Sequence, residues 1–292
     1  MATTNPIKNT IKKLKQEYDN LKIGKESLLQ IIEEAEIPEM VYNSNAIENS
    51  TLTLKETEKI LLEMEVSKDV SLREVFEAKN LARVIEYIRS KSQENEITKE
   101  TILLLHQMLI GNINDNFAGR FRAKNEYVRV DAHIAPSPET IEKLIGEIIS
   151  EYTSNHDKYF IDRIAKFHLD FENIHPFVDG NGRIGRVIIN FQLQRLGFPN
   201  IIIRNTGKQN YYDGFKDYRD TENSNLMEKV ISLALTESLN KRLAYLKNKT
   251  IINLTDYAKI LEKPAPILLN AAKRQTIPAF REKGIWKIAQ ES

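Results

Sequence analysis

Apolar positions recur at helical spacing along most of the chain. Ile7, Ile11, Leu14, Tyr18 and Leu21 fall near a 3.6-residue period, as do Val75, Ala78, Leu81, Ala82 and Ile85. Each set predicts a helix with one buried face. Pro38 is expected to break the first helical region, with a new apolar pattern starting at Val41. Residues 101–111 predict a further helix stopped by Gly111. Between Gly119 and Ile134 the pattern changes. Tyr127, Val128 and Val130 are β-formers, and Gly119, Pro136 and Pro138 flank them, which predicts a short hairpin or flap. A helix follows over 138–152. Ile161, Ile164, Ala165, His168 and Phe171 make one helical stripe, and Ile184, Val187, Ile188 and Phe191 make another. Helices are also expected at 208–220 and 224–247. Past Ile251 the pattern reads as a helix over 254–261, a break at Lys263-Pro264, a helix over 266–274 and a hairpin over 277–288 turning at Lys283-Gly284. The fold class expected is all-α with a short β-hairpin flap and a small C-terminal module, divided as 1–100, 101–248 and 251–292.

Composition narrows this picture. The 292 residues are 41% hydrophobic and 28% charged, enough for a substantial core. With 11 glycines and 9 prolines, an all-β chain of many short strands is disfavoured. A net charge of +1 gives no global field toward nucleic acid or an anionic membrane. The absence of cysteine excludes disulfides, thiolate metal sites and cysteine nucleophiles. No apolar segment follows the basic start, and no run approaches 18 apolar residues, so neither a signal peptide nor a membrane span is expected and the localisation expected is cytoplasmic.

The chemistry concentrates in one loop, His175-Pro176-Phe177-Val178-Asp179-Gly180-Asn181-Gly182-Arg183, between the two stripes. His175 precedes proline and so leaves the helical conformation. Glycines let backbone N–H groups converge, and the helix that starts there adds partial positive charge, which together make an anion cradle. Arg183 and Arg186, at i and i+3, share a helix face and offer forked donors to phosphate. Asp179 is a single acid beside the cradle, as suits Mg²⁺ shared with phosphate oxygens. His175 can act as a base near neutral pH. Gly180, Gly182 and Gly185 also satisfy G-x-G-x-x-G, but a dinucleotide site needs a preceding strand and an acid about 20 residues on, and neither is present.

HPFVDGNGRIGR, residues 175–186, resembles the Fic motif HPFx[D/E]GNGRxxR at every fixed position, and the likeness extends over roughly 40–240. The resemblance implies the helical Fic fold and transfer of AMP from ATP to a protein hydroxyl, on Ser, Thr or Tyr of a target or of the chain itself. By resemblance His175 deprotonates the hydroxyl, and Asp179 holds Mg²⁺ (or Mn²⁺) on the α- and β-phosphates. Asn181 and the loop N–H groups stabilise the α-phosphate, and Arg183 and Arg186 hold the β- and γ-phosphates. Gly180, Gly182, Ile184 and Gly185 complete the nucleotide contacts. Val130, Asp131, Ala132 and His133 would form the flap over the site, pairing with the target's main chain. Tyr211 and Tyr212 resemble a tyrosine pair that walls the adenine pocket.

Ser44-Asn45-Ala46-Ile47-Glu48-Asn49 resembles the family's inhibitory pattern [S/T]xxxE[G/N]. It implies an inhibitory helix at about 40–50, in which Ser44, Glu48 and Asn49 belong to a brake. Glu48 would pair with Arg186 and reach the nucleotide site. Such a pair in a partly dry site matters more than an exposed one. The segment 251–292 resembles small winged helix-turn-helix modules and carries seven Lys and Arg against four Asp and Glu. DNA contact is one reading of it, and docking of a target protein is the other. AMP removal or another phosphoryl-group transfer is the alternative reaction, and a DNA-binding regulator is the alternative class. Oligomeric state stays open, homo-oligomers included.

Overall fold

The computed structural model describes residues 5–130 and 133–290. In chain order its elements are α1 (Asn5–Leu21), α2 (Glu26–Ile47), α3 (Leu54–Glu58) running into a π-helical turn (Lys59–Glu63), α4 (Leu72–Lys91) and α5 (Lys99–Ile110). There follow β1 (Arg129–Val130), β2 (His133–Ile134), a 3-10 turn (Pro138–Thr140), α6 (Ile141–Ser154), α7 (Phe160–Ile174) and α8 (Asn181–Arg195). After a second 3-10 turn (Asn205–Gly207) come α9 (Lys208–Thr221), α10 (Asn225–Leu246), β3 (Ile251–Asn253), α11 (Leu254–Ile260), α12 (Ala265–Lys273), β4 (Ala279–Glu282) and β5 (Ile285–Ala289).

Local signals account for many of the boundaries. Thr53 and Glu56 close a capping box on α3. Ser71 caps α4 by accepting from the Glu74 N–H, and Thr98 caps α5 by accepting from the Thr101 N–H. Pro38 does not break a helix, contrary to the sequence expectation. It lies inside α2. Pro38 lacks the N–H that would point toward Glu34, and Glu34 is an exposed residue, so the helix continues through this turn. The interruption falls earlier, at 22–25, where Gly24 takes φ +73.

The described residues form two compact units. The first holds 37–198 and 203–228; the second holds 5–36, 199–202 and 229–290. This division does not follow the boundaries expected near 100 and 250. In the first unit, α7 packs on α6 and α8, and α4 packs on α5 and α8. Leu81, Ile88, Ile102, Leu105, Ile161, Ile164, Phe171, Ile184, Ile188 and Phe191 fill its core. Each such side chain contributes roughly 1.5–3 kcal/mol on burial. The two strands of the flap pair antiparallel, Arg129 with Ile134 and Val130 with His133.

In the second unit, β3, β5 and β4 form an antiparallel sheet in that order. Lys283 and Gly284 both take positive φ between β4 and β5, as a two-residue hairpin turn of the primed type requires. Leu254, Ala258, Leu268, Ala272, Ala279 and Ile288 make a small core over that sheet. Strand β3 was not expected, because three residues are too few to show a period. Glu36 is buried between Arg242 and Lys241 in the same unit, which satisfies a carboxylate that would otherwise be costly to bury.

Candidate active site

His175 ends α7 in the left-handed conformation, φ 48°, with its N–H on the Phe171 carbonyl at 2.9 Å. The chain then turns through Pro176–Asp179 and enters α8 at Gly180, which has φ 83°. A Cβ at Gly180 would meet Ile110 Cδ1 at 3.1 Å, so glycine serves both conformation and space there. Asn181 staples the loop from inside. Its Oδ1 accepts from the Phe177 N–H and its Nδ2 donates to the Phe177 carbonyl, both at 2.9 Å. The side chain expected to face the α-phosphate is therefore buried and committed to loop shape. Phe177 is buried, with the His106 ring stacked on it at 3.6 Å.

Two residues that sequence reasoning missed hold this loop. His106 Nδ1 accepts from the Gly119 N–H at 3.1 Å, so its Nε2 carries the proton and donates to the Asp179 carbonyl at 3.0 Å. Burial, opposed by the bond to Asp179, lowers His106 to about 4 and keeps it neutral. Arg122 is buried and grips three segments. Its Nε donates to the His175 carbonyl at 2.8 Å, its Nη1 to the Glu126 carbonyl at 2.9 Å and its Nη2 to the Pro136 carbonyl at 2.9 Å. One side chain thus ties the His175 loop to the base of the flap. Only long-range contacts reveal either role. The pattern GRFR around Arg122 gives no sign of it.

The Asp179 carboxylate is 41% exposed and held from two sides, by Arg183 Nη2 at 3.0 Å and by Arg73 Nη2 of α4 at 2.7 Å. Arg73 is a third unforeseen neighbour. Arg183 also pairs with Glu77 at 3.3 Å. Among the described residues no group of three or more His, Asp or Glu side chains is placed to hold a metal. A metal bound by side chains alone has no seat in them, whereas a single carboxylate suits Mg²⁺ that takes its other ligands from phosphate and water.

Arg186 lies deeper. Its Nε donates to Ser44 Oγ at 2.9 Å, and its Nη2 to the Ser44 carbonyl and to Glu48 Oε1, both at 2.8 Å. Its side chain is 6% exposed and that of Glu48 39%. Ser44, Glu48 and Asn49 are therefore together at the end of α2. Asn49 takes φ 68°, and its N–H bonds the Ala46 carbonyl. Glu48 also lies against the loop. A Cβ on Gly182 would fall 2.2 Å from its Oε1. Gly185 plays a like part toward α7, where a Cβ would meet His168 Cε1 at 2.6 Å. Ile184 is fully buried.

Tyr211 departs from expectation. It is buried, its hydroxyl 2.7 Å from His168 Nε2, and it offers no open wall to a ligand. Tyr212 is partly exposed, and its hydroxyl donates to the Ile47 carbonyl at 2.7 Å, against the segment that carries Glu48. In the flap, His133 Nε2 bonds the Asn173 carbonyl at 2.9 Å, Val130 pairs with it across the strands, and Ile134 is 70% exposed. Asp131 and Ala132, expected at the flap tip, lie outside the described residues. His175 is largely buried, and burial lowers it to about 4, so it is neutral at pH 7. No described helix is long and apolar enough to cross a membrane.

Comparison with known proteins agrees with this geometry. The chain is 33% identical over 177 residues to the protein adenylyltransferase Fic of Nematostella vectensis, covering 59% of this chain and 41% of that one. A Drosophila virilis protein of the same name is 32% identical over 179 residues, 60% of this chain and 36% of its own. This chain therefore spans about two fifths of the length of those relatives. A Fic-domain signaling protein from Bacteroides thetaiotaomicron superposes with a TM-score of 0.73 at 25% identity, over 82% of this chain and 98% of that one. The model of the Fic/DOC family matches residues 96–193, a stretch that holds α5, the flap, the loop and nearly all of α8. Over that stretch the chain is similar to the Fic domains of that family.

Proposed function

We propose that this chain is an autoinhibited protein adenylyltransferase that moves AMP from ATP to a Ser, Thr or Tyr hydroxyl of a protein. The observation that carries this reading is the 2.8 Å pair between Glu48 and Arg186, the last arginine of an otherwise intact Fic loop.

His175 is the base. It is neutral at pH 7 and sits where the loop leaves α7. It takes the proton of the target hydroxyl as that oxygen bonds to the α-phosphorus and the bond to the pyrophosphate oxygen breaks. The N–H groups at the start of α8 face the charge that develops on the α-phosphate. Asn181 acts by fixing their direction. Arg183 steadies the outer phosphates. Asp179 would hold Mg²⁺ or Mn²⁺, which supplies charge neutralisation across the phosphates. Almost all of this is positioning and electrostatics, as phosphoryl-type transfer requires.

In the braked form Arg186 gives its donors to Ser44 and Glu48, so the γ-phosphate lacks its clamp. The Glu48 carboxylate adds a like charge beside it. The flap offers its main chain and the exposed Ile134 to a target segment. AMP removal is a second reading, because the Glu48 carboxylate is exposed enough to accept a proton from water.

Incubation with isotopically labelled ATP and mass spectrometry of intact protein tests the proposal. Glu48→Gly should raise AMP incorporation about a hundredfold, the scale of a 1 Å misplacement of the reacting group. His175→Ala in that background should abolish it. An unchanged or lower rate in Glu48→Gly defeats the brake, and a simultaneous loss of AMP removal would favour the second reading.

A further inference from the structure

One face of α7 carries His168, Glu172 and His175, four and three residues apart. His168 Nδ1 and Glu172 Oε1 are buried without a hydrogen-bond partner, and His175 Nδ1 is buried beside them, with the Glu172 main chain also acting on its ring. Such orphans call for a reason. The first two crowd together against position 185, which is glycine. A Cβ there would lie 2.7 Å from Glu172 Oε1 and 2.8 Å from His168 Nδ1. The other Glu172 oxygen, Oε2, faces His175 Nδ1 at 3.8 Å. A polar chain continues in the opposite direction. His168 Nε2 bonds the Tyr211 hydroxyl at 2.7 Å, Arg186 Nη1 reaches that hydroxyl at 3.5 Å, and Arg186 holds Glu48.

We propose that Glu172 is a positioning residue for His175. As a carboxylate it holds the imidazole with its proton on Nδ1 and its lone pair on Nε2. The inference rests on the reading of His175 as the base. A neutral imidazole has one donor and one acceptor nitrogen, and the partner of one fixes the role of the other. A protonated Glu172 donates to Nδ1, which leaves the N–H on Nε2, where it blocks proton uptake. An ionised Glu172 accepts from Nδ1–H and frees Nε2. Nε2 then takes the hydroxyl proton, the imidazolium faces a carboxylate, and the proton leaves from Nε2 to solvent. Glu172 never carries it.

The gap of 3.8 Å is longer than a hydrogen bond and needs only a small side-chain rotation to close, as catalytic contacts do when substrate binds. The charged and titratable groups facing Glu172 are Glu48 at the end of α2, Arg186 on α8, Tyr211 on α9 and the two histidines of its own helix. Arg122 and His133 face His175 from the flap side. Burial raises the Glu172 carboxyl to about 8, the Glu48 charge adds to this and Arg186 opposes it. The brake thus acts twice. Glu48 occupies Arg186, and its charge favours the protonated Glu172 that misdirects the base.

The test is ¹⁵N NMR of histidine-labelled protein from about pH 6 to about pH 9, with AMP transfer measured alongside in the Glu48→Gly background. His175 should pass to the Nδ1–H form as pH rises, and at lower pH in Glu48→Gly than in the unsubstituted protein. Glu172→Gln should remove that transition and lower kcat about a hundredfold, with KM for ATP within about twofold. Glu172→Asp keeps a carboxylate and should restore the transition, which separates the proposal from a folding defect. If Glu172→Gln leaves the tautomer and the pH profile of kcat unchanged while His175→Ala is inactive, the positioning role fails alone. If His175→Ala keeps transferring AMP, the base assignment fails first.

Discussion

Two carboxylates flank the loop, and by their simplest measures they look alike. Glu48 and Asp179 are 39% and 41% exposed, and each meets a loop arginine at about 3 Å. Their surroundings give them opposite roles. On the Glu48 side, Arg186 is drawn into a ring of fixed partners, with Ser44 contributing both a hydroxyl and a carbonyl. A phosphate arriving there must displace an anion. On the Asp179 side, Arg183 and the exposed Arg73 hold a carboxylate that a phosphate-bound cation can recruit. Pair distance and exposure do not define what an ion pair does. What each partner must surrender to the incoming ligand does.

The sharpest way to break this comparison is Arg186→Ala in the Glu48→Gly background. It should return AMP transfer to within about tenfold of the unsubstituted protein, because the freed clamp is then missing. Retention of the full gain in labelled-ATP assays would make the two sides equivalent. A smaller effect is expected from Asp179→Ala in the same background. The Mg²⁺ concentration for half-maximal transfer should rise about tenfold to a hundredfold, as loss of a ligand does. The smallest comes from Arg73→Ala. An exposed pair contributes up to about 1 kcal/mol, so its removal should lower the half-maximal Mg²⁺ concentration no more than about fivefold. A rise on titration with Mg²⁺ would instead place Arg73 among the phosphate contacts.

The sequence made the loop legible because its chemistry is contiguous. His175, Asp179 and both arginines lie within twelve residues, in and just after the loop that joins two strongly patterned helices. The pairing of Glu48 with Arg186 was also anticipated, since a short pattern joined to a long one limits the partners, whereas the two bonds from Arg186 to Ser44 were not. The supporting residues stayed hidden for the opposite reason. Arg122, His106 and Arg73 act across long stretches of chain, and nothing in their neighbours distinguishes them from surface or core. Tyr211 read as a pocket wall because an aromatic pair looks the same whether buried or exposed. Pro38 misled because a helix tolerates one missing backbone donor beside an exposed turn. Residues 251–292 gave up their helices and hairpin, but β3 is too short for any periodicity.

Gly182 leaves room for the Glu48 carboxylate by less than the width of a methyl group, since a Cβ there would fall 2.2 Å from Oε1. A side chain at 182 would press on the Glu48 carboxylate and also on Arg186 Nη1, 3.1 Å from that Cβ, so it disturbs the brake and the clamp together. In genetic terms, every glycine codon is one base from an alanine codon, and every glutamate codon is one base from a glycine codon. Single-base changes therefore reach both positions, but on the proposed reading the one at 48 removes the brake alone, whereas the one at 182 also damages the phosphate cradle. If unrestrained transfer harms the host, a screen for toxic variants should recover changes at Glu48 and not at Gly182.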